Sequence, residues 1–363
     1  MLKHERDSPA KEPEKGQDWR ADIGAKSLSD RSVDLARARE PGRGREANTP
    51  EEIPTRGWGD ILWRVFWSIS ENRILSTSGS VAFFTLLAVF PGIAAIVSLY
   101  GLFADASIIG EHVKILSGIL PGGVLELIAE QIALISSQRS ETLGTAFVVA
   151  LLIALVSANS GMAALFDALN VVYNEREKRN LFRFYATTFV FTLAGIVFIL
   201  VAIVGVVILP LVLKFVGLAT TTEALLAILR WPILLVIIVA SLACIYRYGP
   251  SRRDARWRWV TWGSVLGASL WIAASMVFSW YVATFDSYNQ TYGSLGAGVG
   301  FMVWLWISAV IVLLGGELNA EMEHQTARDT TEGRSKPLGS RGAMMADRVG
   351  QSHDAETTRP GQD

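Results

Sequence analysis

The chain has 363 residues, 51% of them hydrophobic, with a formal net charge of −1 and a single cysteine. Charge this balanced, with both signs mixed, offers no concentrated basic face, so nucleic-acid binding is not expected. One cysteine, Cys244, excludes an internal disulfide, and its place in an apolar run makes it a packed or lipid-facing thiol.

The average composition hides a split. Residues 1–56 hold 12 Lys/Arg and 12 Asp/Glu with Trp19 as the one aromatic, and residues 323–363 hold 6 and 7. The remaining 15 and 15 charges lie across 57–322, almost all between apolar runs. The expectation is one membrane domain over 57–322 with a disordered tail at each end, because neither tail has the apolar content to bury a core. The first 56 residues show no apolar signal-peptide core, so the first apolar run is expected to target the chain itself.

Residues 57–76 carry Asp60, Arg64, Ser68 and Glu71 at helical spacing. Trp58, Ile61, Leu62, Val65, Phe66, Trp67 and Ile69 cover the other positions. This is an amphipathic helix at the membrane surface, either lying in the interface or packed on the inner end of a bundle. Six transmembrane spans are then read at about 79–103, 144–166, 185–213, 224–246, 260–284 and 295–319. Span 1 contains Pro91-Gly92, where a kink or hinge is expected. Between spans 1 and 2, two amphipathic helices flank Pro121-Gly122-Gly123 and form an outer-side hairpin. The 2–3 and 4–5 loops hold nine Lys/Arg against four in the 1–2, 3–4 and 5–6 loops. The positive-inside rule therefore places both termini in the cytoplasm.

No catalytic constellation is legible. His4, His112, His324 and His353 are scattered, and there is no HExxH, GxSxG or glycine-rich phosphate loop. No metal site, cofactor or catalytic residue is expected, and the chain is read as a non-enzyme. Polar groups within spans are a better clue, since they face protein or water. Asn159, Asp167 and Asn170 in span 2, with Glu317 and Asn319 in span 6, form the candidate solute site or gate near the inner side. Arg73, Arg183 and Arg247 are candidate partners for these carboxylates, and a helix-fixing ion-pair network is the alternative. Gly263 with Gly267, and Gly296 with Gly300, form GxxxG pairs for close helix packing or a hinge. Gly293 extends this small-residue stretch.

These pieces resemble a known family, the YihY/BrkB-type bacterial inner-membrane proteins, formerly labelled ribonuclease BN. The matching residues include Ala82 to Leu87 with Phe90-Pro91-Gly92, then Ser160-Gly161 with Asp167 and Asn170, and Arg230-Trp231-Pro232. They continue through Tyr246, Trp257-Arg258-Trp259, Gly263, Tyr281, Tyr288 and Tyr292-Gly293 to Leu314-Gly315-Gly316-Glu317-Leu318-Asn319-Ala320. The resemblance covers 57–322 and implies an all-α, six-helix inner-membrane protein. It also implies a transporter with links to the envelope.

The leading expectation is therefore a transport or envelope-lipid-handling protein without its own ATPase. Its partners would be membrane lipids and a solute or lipid of unknown identity, and a homo-oligomer is left open. A structural or assembly scaffold is the alternative, and a membrane-bound hydrolase or ribonuclease the remote one.

Overall fold

The computed structural model describes residues 30–103, 140–204, 220–284 and 287–354. Its helices are α1 (Thr55–Glu71), α2 (Ile74–Phe103), α3 (Ser140–Val172), α4 (Leu181–Ile203), α5 (Thr220–Tyr248), α6 (Trp257–Thr284), α7 (Ser287–Gln325) and the short α8 (Met344–Asp347). No strand occurs among the described residues, so the all-α expectation holds. Five of the helices are long and apolar enough to cross a bilayer. In α5 the apolar stretch found is the shorter Pro232–Tyr248. The outer hairpin expected between spans 1 and 2 lies outside the described residues.

In hydrocarbon every backbone polar group needs an internal partner, which is why these apolar runs are helical throughout. Pro91 and Pro232 sit inside α2 and α5, which continue past them. The Asn180 side chain caps α4 by accepting from the Arg183 N–H at 2.8 Å.

Lipid tails are as apolar as leucine, so helices associate here where small residues allow backbones to approach. α2 pairs along its length with α3. A Cβ on Gly161 of α3 would lie 2.8 Å from Thr85 Oγ1 of α2. The tightest approach joins α6 and α7: a Cβ on Gly263 would lie 2.0 Å from the Gly315 carbonyl oxygen. Tyr246 of α5 closes this crossing. Its hydroxyl donates to the Val312 carbonyl at 2.7 Å and leaves no room for a Cβ on Gly315. Leu169, Tyr173, Leu242 and Leu313 complete the buried core around it.

α1 lies against α7. Its polar stripe faces inward, with Asp60, Arg64 and Ser68 buried, while Leu62, Phe66 and Trp67 point outward at 58%, 67% and 53% exposure. Arg73, at a left-handed φ of 49°, turns the chain from α1 into α2.

The tails correct the expectation of disorder. Residues 1–29 and 355–363 lie outside the described residues, but 30–56 and 323–354 fold together into a cap at one end of the bundle. Both described tail segments meet at the same end of the bundle. The cap interior is rich in polar groups, set among a few buried apolar residues such as Ile53, Met345 and Val349. Arg45 donates to the Gln325 carbonyl at 3.1 Å and the Gly350 carbonyl at 2.8 Å. Arg341 donates to the carbonyls of Ala327, Arg328 and Ala346. Arg252 and Glu323, both side chains 0% exposed, form a two-pronged pair at 2.9 and 2.7 Å. Thr330 donates to the same carboxylate at 2.8 Å. Composition rules count apolar surface, so they miss a unit in which each buried charge has a partner.

Two outcomes test this architecture. Gly263→Ala is expected to destabilise by about 1–3 kcal/mol through overpacking against α7. Gly300→Ala, whose Cβ meets only Phe278 Cζ at 4.0 Å among the described residues, should hold the melting temperature or raise it slightly. A chain cut to 57–325 should accumulate poorly in membranes, because Asp60 and Gln325 lose Arg43. A chain of 30–354 should accumulate normally.

Candidate functional site

The polar residues singled out in the sequence take separate structural places. Glu317 of α7 is 1% exposed. Its Oε2 accepts from Asn72 Nδ2 at 3.0 Å, and its Oε1 has no hydrogen-bond partner among the described residues. Asn319, fully buried, accepts from the Gly263 N–H at 2.8 Å and donates to the Val260 carbonyl at 3.2 Å, pinning α6 to α7. Asn170 accepts from the Ser251 N–H at 2.7 Å and donates to Glu177 at 3.0 Å, pinning the end of α3 to two loops. Asn159 faces Thr192 at 3.5 Å across the α3–α4 seam. Asp167, one turn before Asn170, is exposed.

None of the expected arginine partners reaches these carboxylates. Arg247 pairs with Glu332 at 2.5 Å and donates to the Ala255 carbonyl. Arg73 and Arg183 are exposed and form no ion pair with a described residue. The pairs that do form lie elsewhere. Arg64 of α1 binds Glu321 of α7 and donates to Gln325 at 2.8 Å. Arg43 spans both oxygens of Asp60 at 2.8 Å. Arg179 binds Glu177 through both groups at 2.7 Å. Burial alone would raise the Glu177 carboxyl, but these bonds with those of the Arg179 N–H and Asn170 hold it down to about 2. The α1–α7 pairs had a sequence signal: Glu321 and Gln325 are one turn apart on α7, opposite the polar stripe of α1.

Gly263 and Gly267 are packing positions, the latter within 3.2 Å of the Tyr246 hydroxyl for an added Cβ. A Cβ on Gly92 would meet no described residue within 4 Å. Tyr281 is exposed. The side-chain surroundings of Tyr288, Tyr292, Gly293 and Gly296 lie outside the described residues.

The cavities are lined by other side chains. A groove of about 510 Å³ opens between α4 and α5. Phe191, Ala194, Gly195 and Phe198 of α4 form one wall, and residues of α5 between Val236 and Ile245, among them Ile237, Ala240 and Leu242, form the other. Met162 of α3, Trp271 of α6 and Val312 of α7 form its floor. Ser241 is the one hydroxyl in the lining, and Cys244 lines it too. The groove exists because α4 packs on α3 and α5 packs on α6, leaving the two helices apart. A second apolar groove of about 500 Å³ lies on the other side of α5, against α6. None of Asn159, Asp167, Asn170, Glu317 and Asn319 lines either groove. Apolar residues on a membrane helix carry no mark in the sequence that separates a groove wall from a lipid face.

Residues 65–338 match the family model described as Virulence factor BrkB. A Bacillus subtilis protein named "Putative ribonuclease-like protein YfkH" is 29% identical over 249 residues, covering 68% of this chain and 88% of that one. A UPF0761 membrane protein of Alkalilimnicola ehrlichii is 28% identical over 275 residues, 73% of this chain and 59% of its own. One of Haemophilus influenzae is 22% identical over 272 residues, 75% and 97%. No solved structure matches. The family match takes in α2 to α7 whole, together with the Gly263–Gly315 crossing and the polar pins of Asn170 and Asn319. The chain is a multi-pass membrane protein that belongs to the Virulence factor BrkB family.

Proposed function

We propose that this protein handles envelope lipid in the bacterial inner membrane, without its own ATPase and without enzymatic chemistry. The observation that carries the reading is the groove between α4 and α5. It lies at bilayer depth, between helices that expose leucine, valine and isoleucine on their outer faces. Its lining is apolar apart from one hydroxyl and one thiol. Water in such a cleft gains few partners, whereas an acyl chain fills it with dispersion contacts. The termini are read as cytoplasmic from the loop charges, which puts the cap on the inner side. The ribonuclease-like name belongs to the Bacillus relative, and no catalytic residue is assigned in this chain.

The test blocks the groove. Ala194 is exposed toward it, so Ala194→Trp fills the space without touching the helix crossings. The variant is expected to accumulate and melt like the wild type while retaining less co-purified phospholipid after detergent washing. Equal lipid retention in the two proteins would sink the reading.

A structural scaffold is the second reading, favoured by the buried pins. If Asn319 only locks α6 to α7, Asn319→Leu should lower stability by about 1–3 kcal/mol. Lipid retention per folded molecule should then be unchanged.

A further inference from the structure

The groove has a distinct inner end. We infer that it takes an anionic phospholipid, with the acyl chain between α4 and α5 and the phosphate on Arg183. This rests on the lipid reading above.

Arg183 lies in the first turn of α4. Arg183, Thr187, Ala194 and Phe198 stand at i, i+4, i+11 and i+15, which is one stripe of a helix. Ala194 and Phe198 on that stripe line the groove. Thr187 turns its hydroxyl back to the Arg183 carbonyl at 2.7 Å and offers the ligand a methyl face. At 1.5 Å per residue, Arg183 stands about 12 Å along the axis from Phe191, where the lining begins. A glycerol and the first methylenes of an acyl chain span that length. Helical side chains lean toward the N-terminus, so the guanidinium leans outward to the headgroup level.

Arg179 is taken by Glu177, and Lys178 by Glu175. Arg183 is exposed and makes no ion pair with a described residue. Its planar fork suits a phosphate diester. Leu181 and Phe182, at 77% and 85% exposure, flank it as apolar residues suited to the boundary between headgroups and acyl chains. An apolar slot whose inner end carries a guanidinium with no ion pair to a described residue is complementary to a lipid with a net negative head. A zwitterionic head brings its own ammonium and gains less.

The experiment uses the full chain, delipidated in detergent, with thermal shifts read against added lipid. Phosphatidylglycerol is expected to stabilise with about tenfold higher apparent affinity than phosphatidylcholine of the same chains. Arg183→Gln should abolish that preference, and Arg183→Lys should keep part of it. Arg176→Gln, an exposed arginine in the preceding loop, should leave it intact. Soluble glycerol phosphate should not stabilise. Equal affinities for the two lipids overturn the inference, as does a preference that survives Arg183→Gln. Equal loss in Arg176→Gln, or stabilisation by glycerol phosphate alone, also overturns it. The groove itself is judged separately: Ala194→Trp should weaken both lipids alike. If it weakens neither, the lipid reading fails as well. If it weakens both while the wild type shows no preference, only the headgroup assignment falls.

Discussion

The approach of Gly263 to Gly315 sets the frame for the rest of the bundle. Two helix backbones come within van der Waals distance there, closer than any side chain beyond hydrogen allows. In a bilayer this contact area must do what hydrophobic burial does in water. The crossing also brings peptide groups within reach of side chains. Asn319 bridges from α7 to the Gly263 N–H and the Val260 carbonyl, and Tyr246 reaches the Val312 carbonyl from α5. Three helices are thereby fixed at one level by two glycines, one amide and one phenol.

From that level the cap hangs on α7. The helix continues beyond its apolar part to Gln325 and carries Glu317, Glu321 and Gln325 down the seam with α1. Arg64 and Asp60 answer from α1, and Arg43 and Arg45 from the N-terminal tail. Each guanidinium serves several acceptors, so burial of the charge is offset by bonds rather than by solvent. The consequence is an amphipathic helix whose polar face is inside. Its apolar face, with Phe66 and Trp67 exposed, is the side suited to the membrane interface.

The same packing leaves α4 held through α3, and α5 through α6. The space between them is a by-product of where the close crossings fall. Small residues on the facing sides, Ala194 and Gly195 of α4 and Ala240 and Ser241 of α5, widen it further. The lateral groove and the tight centre are thus two results of which helix faces meet, and the functional reading depends on that pairing.

What the sequence by itself determined is the part that follows from transfer energetics along the chain. Long apolar runs, basic loops and a polar stripe at helical spacing specify membrane helices, an orientation and a surface helix. Local composition is enough for that, because the bilayer acts on each segment separately. The family was legible too, in Gly263, Tyr246 and the Gly315 to Ala320 run, whose residues meet at one crossing. Tertiary structure alone decided the roles of the polar groups. Spacing put Asp167 and Asn170 on one face, yet Asn170 is buried as a pin and Asp167 is exposed, because the packing boundary runs between them. Arg183 looked like a partner for a carboxylate, and the structure leaves it exposed, with no ion pair to a described residue. Residues 30–56 and 323–354 looked disordered by charge count, and several of their charges became part of their interior. In each case the deciding quantity is who stands opposite, which depends on contacts between residues far apart in the chain.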